Sequence, residues 1–159
     1  MKILAIDPGY ERVGVAVIER DGKQKETLEY SSCFKTSTKI PFHERLTAIG
    51  CELERIIKKY KPGALAIEKL YFTTNQKTAM GVAEARGVMM YVASCNNLEI
   101  FEYTPLQIKV AVTGYGKATK DMVLSMVPKL IQMESKNSDD ELDAIAIGLT
   151  CYEIERFKS

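Results

Sequence analysis

The sequence predicts an α/β domain on a five-stranded mixed sheet, three antiparallel strands followed by parallel ones, with helices on both faces. Three observations carry this. Two short apolar runs, Ile3–Ile6 and Ala64–Ile67, each end on a carboxylate, Asp7 and Glu68. A long amphipathic stretch lies between them, as a helical crossover between parallel strands requires. Before that stretch come two strand-like segments around Asp21-Gly22, a hairpin signal.

In chain order, Ile3–Ile6 reads as a strand buried on both faces, bounded by Lys2 and the Pro8-Gly9 turn. Asp7 therefore stands at the carboxyl edge, where open α/β sheets place their ligands. Val13, Val15 and Val17 alternate with smaller residues in a second strand, and Glu26–Phe34 forms the return strand. Pro41–Lys61 carries Phe42, Leu46, Ile49, Leu53, Ile56 and Ile57 at helical spacing, and Pro62-Gly63 stops it. The strand Ala64–Glu68 then runs parallel to the first. If the two are neighbours, roughly 4.8 Å apart, Asp7 and Glu68 emerge side by side.

Residues 69–74 read as a loop with Tyr71 and Phe72 at its tip. Residues 75–95 form a helix rich in alanine and methionine, suited to core packing or to a helix–helix seam. Leu98–Tyr103 is a strand and Pro105–Val112 a short helix. Gly114–Lys117 is a flexible basic loop, and an amphipathic helix runs from about Thr119 to Met133. The last helix opens with a capping box, Ser138 as N-cap and Glu141 at the third position, and buries Leu142, Ile145, Ala146 and Leu149.

The 159 residues amount to one domain, 1–159, without repeats, biased segments or a run long enough to cross a bilayer. With a net charge of +1, any hold on a polyanion must come from local patches. Cys33, Cys51, Cys95 and Cys151 are widely spaced and only His43 could join them. That excludes the usual zinc spacings and suggests mostly buried, reduced thiols in a cytoplasmic protein. Gly116-Lys117 fails as a phosphate loop, since Ala118 replaces the Ser/Thr and Ala111 the first Gly.

What remains is a set of carboxylates. Asp7 and Glu68 terminate buried strands, and Asp143 lies three residues after Asp140 and four after Asp139 on one helix. Either spacing shares a face, so periodicity leaves Asp139 and Asp140 as alternatives. Acidic residues at a helix start also complement its dipole, the simpler account of Asp139, Asp140 and Glu141 taken alone. Together with Asp7 and Glu68, an all-oxygen group suits hard divalent cations and the two-ion hydrolysis of phosphodiesters.

DPGYERVGVAV, AIEKLYFTTN with the following EARGV, Lys109–Lys120 and DDELDAIAIGL together resemble the RuvC-type Holliday junction resolvases of the ribonuclease-H-like superfamily. The resemblance runs over essentially the whole chain. It implies a homodimer that nicks two strands of a four-way DNA junction symmetrically, leaving 5′-phosphate and 3′-hydroxyl ends. It also implies two Mg²⁺ per site, with Mn²⁺ as a substitute, and admits a branch-migration motor complex as a partner. By motif position the acidic quartet falls on Asp7, Glu68, Asp140 and Asp143, and the base-stacking aromatic on Tyr71. The family's basic DNA contacts fall on Lys109 and Lys120. Lys117 in the glycine loop and Lys69, where relatives often carry Gln, add further phosphate contacts. Between Pro105 and Lys136, five lysines face only Asp121 and Glu134, a positive strip suited to a DNA backbone.

Overall fold

A computed structural model describes residues 1–22, 25–70, 76–133 and 137–155. The strands are β1 (Lys2–Asp7), β2 (Arg12–Glu19), β3 (Thr27–Lys35), β4 (Ala64–Glu68) and β5 (Glu99–Tyr103). The helices are α1 (Phe42–Tyr60), α2 (Gln76–Cys95), α3 (Pro105–Thr113), α4 (Lys120–Leu130) and α5 (Asp139–Ile154). One sheet runs β3-β2-β1-β4-β5. β1, β2 and β3 pair antiparallel, whereas β4 pairs parallel with both β1 and β5. The expected mixed sheet is therefore present, with helices on both faces.

Side chains alternate across the sheet and split the core in two. Leu4, Ile6, Val13, Val15, Val17, Leu65 and Ile67 pack under α1 and α2, against Ile49, Leu53, Ile56 and Met89. Each such aliphatic side chain contributes about 1.5–3 kcal/mol when buried. The other face carries Ile3, Ala5, Ala16, Ile18, Ala64 and Ala66 under α3, α4 and α5. Alanine leaves little standing height there, so α5 lies close to β1 and β2. The approach is tightest at two glycines. A Cβ on Gly14 would overlap the backbone carbonyl of Asp140, and one on Gly148 would come within 2.7 Å of Ile18 Cδ1 and 3.1 Å of Ala5 Cβ.

Two expectations need correction. α4 ends at Leu130 rather than Met133. Pro128 lies in its last turn and supplies no N–H, the chain turns extended at Ile131, and Gln132 pairs with Thr27 of β3. The cysteines are also not mostly buried: only Cys151 is, Cys33 is intermediate, and Cys51 and Cys95 are exposed. Cys51 follows the buried Ile49 by two residues, which turns it to the outer side of α1. Among the described residues, no helix is long and apolar enough to cross a membrane.

The Gly14 contact is with backbone, which cannot rotate aside, and the nearest Gly148 contact is with a side-chain tip. Gly14→Ala should therefore lower unfolding free energy by about 1–3 kcal/mol in urea titrations, and Gly148→Ala by less. Equal losses would contradict the tighter approach at Gly14.

Candidate functional site

Ile6 pairs with Ile67 in the parallel β1–β4 ladder, so the next residues, Asp7 and Glu68, leave the sheet level with each other. By parity both belong to the α5 face. The end of β4 is fixed from behind: Arg86 Nε donates to the Glu68 carbonyl at 3.0 Å, and Arg86 Nη2 also bonds Glu102. The Lys69 N–H donates to the Tyr103 carbonyl at 2.8 Å. On the far side of the Pro8-Gly9 turn, Gly81 of α2 sits against the Tyr10 ring, which also meets Phe42 edge-on.

α5 supplies the facing carboxylates. Its capping box forms as expected: the Ser138 side chain accepts from the Glu141 N–H, and Glu141 Oε2 accepts from the Ser138 N–H at 2.9 Å. Glu141 also accepts from Ser31 at 2.8 Å, so its charge is committed to the cap. Asp139 is exposed. Asp143 accepts from Lys120 Nζ at 2.7 Å. Lys120 is the first residue of α4, just after the cap Thr119, whose side chain accepts from the Met122 N–H.

These elements enclose a cavity of about 330 Å³ lined by Asp7, Glu68, Asp143, Lys109 and Lys120, with Ile108, Val123 and Ile147 below. Asp140 does not line it. Its Oδ2 accepts from Arg12 Nε at 2.9 Å, Arg12 Nη2 at 2.5 Å and Cys33 Sγ at 3.4 Å. A cavity of similar size, about 320 Å³, between β3 and the end of α4 includes none of the four carboxylates.

The electrostatics follow from burial and crowding. Burial, then the charges of Asp143, Glu68 and Asp140, push the Asp7 carboxyl up to about 7 against the pull of Lys120. Burial and Asp143 raise Glu68. Asp143 is raised chiefly by burial, despite its bond to Lys120. Asp140 differs: burial pushes it up, but the Arg12 and Cys33 bonds outweigh that and hold it below the usual range. The hydrogen bond to Asp143 raises Lys120, which stays cationic beside the acids.

The structure thus gathers Asp7, Glu68, Asp143, Lys109 and Lys120 in one place, with Asp140 at its border. Lys117 is exposed on the α3–α4 loop and Lys69 is exposed beyond the end of β4; neither lines the cavity. Tyr71 lies outside the described residues. Arg12, Cys33 and Arg86 were not singled out from the sequence. A signal for Arg12 existed, since it shares strand parity with Gly14, Ala16 and Ile18, the α5 face of β2.

The donor set fits a hard divalent cation, being carboxylate oxygen throughout. Among the described residues, no three His, Cys, Asp or Glu side chains converge closely enough to cage an ion as they stand. Arg12 on Asp140 and Lys120 on Asp143 are the bonds that hold the α5 carboxylates where they are.

A family model described as crossover junction endodeoxyribonuclease RuvC matches residues 3–151. A protein of Halothermothrix orenii bearing that name is 44% identical over 150 residues, covering 94% of this chain and 90% of its own. One from Alkaliphilus metalliredigens is 41% identical over 160 residues, covering 100% and 97%. Among solved structures, Thermus thermophilus RuvC in complex with Holliday junction substrate superposes with a TM-score of 0.89 at 29% identity, covering 96% of this chain and 93% of that one. The yeast mitochondrial Holliday junction resolvase shares the fold, with a TM-score of 0.70 at 12% identity over 95% of this chain and 77% of that one.

Asp7 binds its proton more tightly folded than unfolded, where its ordinary value is 3.8. Its contribution to stability is therefore full below about pH 4, falls as pH rises, and is lost above about pH 7. Asp7→Asn should remove that slope. In metal-free buffer the variant should be more stable than the wild type at pH 8 by on the order of 2 kcal/mol, with the gap closing toward pH 4. Urea midpoints across that range measure it, and a difference independent of pH would count against the crowded, buried carboxylate.

Proposed function

This chain belongs to the family of crossover junction endodeoxyribonucleases RuvC, and from that premise we propose that it resolves Holliday junctions by hydrolysing DNA phosphodiesters in recombination and repair. The observation that carries the reading is the level emergence of Asp7 and Glu68 from adjacent parallel strands, facing Asp143 and Lys120 across one cavity. Residues 1–159 act as a single nuclease domain. Asp7 and Glu68 would anchor a divalent pair, with Asp143 and Asp140 completing the ligand set. When bound, the ions (Mg²⁺ in our reading, with Mn²⁺ as a substitute) supply the charge that activates a water and stabilises the leaving 3′-oxygen.

The chain's own residues do the rest. Lys120 and Lys109 stand at the cavity wall, where an ammonium can hold a non-bridging phosphate oxygen beside the scissile bond. Lys117 and Lys69, exposed on either side, extend that hold along the backbone. Tyr71 is assigned the stacking role at the crossover, contributing about 1–3 kcal/mol per base. The bonds that Arg86 and Lys69 make behind β4 keep Glu68 from drifting as charge enters the cavity.

A homodimer gives the two equivalent centres that symmetric nicking needs. α2 supports this on its outer side. Met80 and Tyr91 are 65% and 70% exposed, with Ala83 and Gly87 open between them at helical spacing. That row lets a symmetry mate approach closely. We place the protein in the cytoplasm, where the exposed Cys51 and Cys95 stay reduced. A branch-migration motor complex is the partner we would test next.

The deciding assay is divalent-ion-dependent nicking of a synthetic mobile four-way junction, with RNA–DNA hybrid and linear duplex alongside. Paired nicks in strands of like polarity, with 5′-phosphate ends and little cutting of the other substrates, are expected. Asp7→Asn should slow cutting on the order of 100-fold or more while still binding the junction; cutting at the wild-type rate would refute the metal-site reading. Tyr91→Glu should shift the protein from dimer toward monomer in light scattering, and an unchanged mass would move the seam elsewhere.

A further inference from the structure

Of the four carboxylates, Asp140 is the one that does not line the cavity, and its Oδ2 is engaged instead on the β2–β3 side. Arg12 places both Nε and Nη2 on Asp140 Oδ2, with the Cys33 thiol on the same oxygen. Arg12 opens β2, lies 50% exposed, and faces the exposed Lys35 across the β2–β3 ladder. Lys120, by contrast, meets Asp143 inside the cavity. The lysine sits within the site, whereas the arginine holds its carboxylate at the border.

We propose that Arg12 is an internal counter-ion that keeps Asp140 from the divalent-ion site in the DNA-free protein and releases it when a backbone phosphate takes the guanidinium. This deepens the proposed function and rests on its reading of the carboxylates as an ion site. Three physical points support the exchange. A half-exposed ion pair is weak enough to break at small cost, unlike a buried one. Phosphate oxygens accept from Nε and Nη2 as Asp140 Oδ2 does, so the guanidinium loses no hydrogen bonds in trading one for the other. Arg12 and Lys35 also form a positive spot on the β2–β3 flank, opposite Lys109 and Lys120, where a backbone crossing the cavity would next pass. Ion binding would then be strongest on substrate, and the two ligands would favour each other reciprocally.

The test separates Arg12 from the site it serves. Mn²⁺ binding to the DNA-free protein, read by electron paramagnetic resonance, should tighten about 3- to 5-fold in Arg12→Gln. In an Asp140→Asn background the same substitution should change nothing. Junction binding without divalent ions should show a salt-dependence slope smaller by about one in Arg12→Gln, as for any lost phosphate contact. Unchanged or weaker Mn²⁺ binding in Arg12→Gln overturns the proposal, and so does an unchanged salt slope. Asp7→Asn serves as the second arm: if it binds Mn²⁺ as the wild type does, the ion-site reading itself falls. If it loses Mn²⁺ while Arg12→Gln gains nothing, only the counter-ion role falls.

Discussion

The distance between α5 and the sheet is the constraint on which the site depends. Alanines at positions 5, 16, 64 and 66 make the α5 face of the sheet low, and Gly14 and Gly148 remove the remaining obstacles. Larger side chains there would bury more apolar surface, yet they would lift the helix and carry Asp143 away from Asp7 and Glu68. The opposite face shows the other solution: Leu4, Ile6, Val15, Leu65 and Ile67 hold α1 and α2 on ordinary aliphatic bulk. The two faces thus stand their helices at different heights, and the low one brings the carboxylates together.

Proximity has an electrostatic cost. Asp7, Glu68 and Asp143 are each pushed toward protonation by burial and by neighbouring carboxylates. Asp143 acts on Asp7 and Glu68, Asp139 and Asp140 act on Asp143, and Lys120 opposes the rise at all three. The chain meets that cost locally, since its net charge of +1 supplies no general field. Lys120 and Arg12 each take one carboxylate of α5, while Glu141 is satisfied by its cap and by Ser31. Two of the four acids therefore have a resident partner, whereas Lys120 offsets Asp7 and Glu68 through space.

Much of this was legible in the chain itself. The apolar runs ending on Asp7 and Glu68 gave two strands, and the crossover rule made them parallel; that they are also neighbours, a condition of the reading, is what the β1–β4 register supplies. The capping box at Ser138 formed as the spacing required. Periodicity could not separate Asp139 from Asp140, because that choice depends on the rotation of α5 against the sheet, which Gly14 and the Asp140 carbonyl set together. The bond from Arg12 to Asp140 spans 128 positions and leaves no local pattern beyond strand parity. The early end of α4 was missed for a different reason. The apolar rhythm continues past Pro128, whereas the extended turn at Ile131 and the pairing of Gln132 with β3 draw the chain away.

Lys120 opens α4, at the end where the helix's own N–H groups already carry partial positive charge. A cation there sits in the least welcoming place that a helix offers, and Asp121 relieves it only in part. An oxygen anion therefore acts as a structural member for this turn, and Asp143 is the one that holds it. The same local discomfort that weakens the turn in isolation makes it receptive to a polyanion.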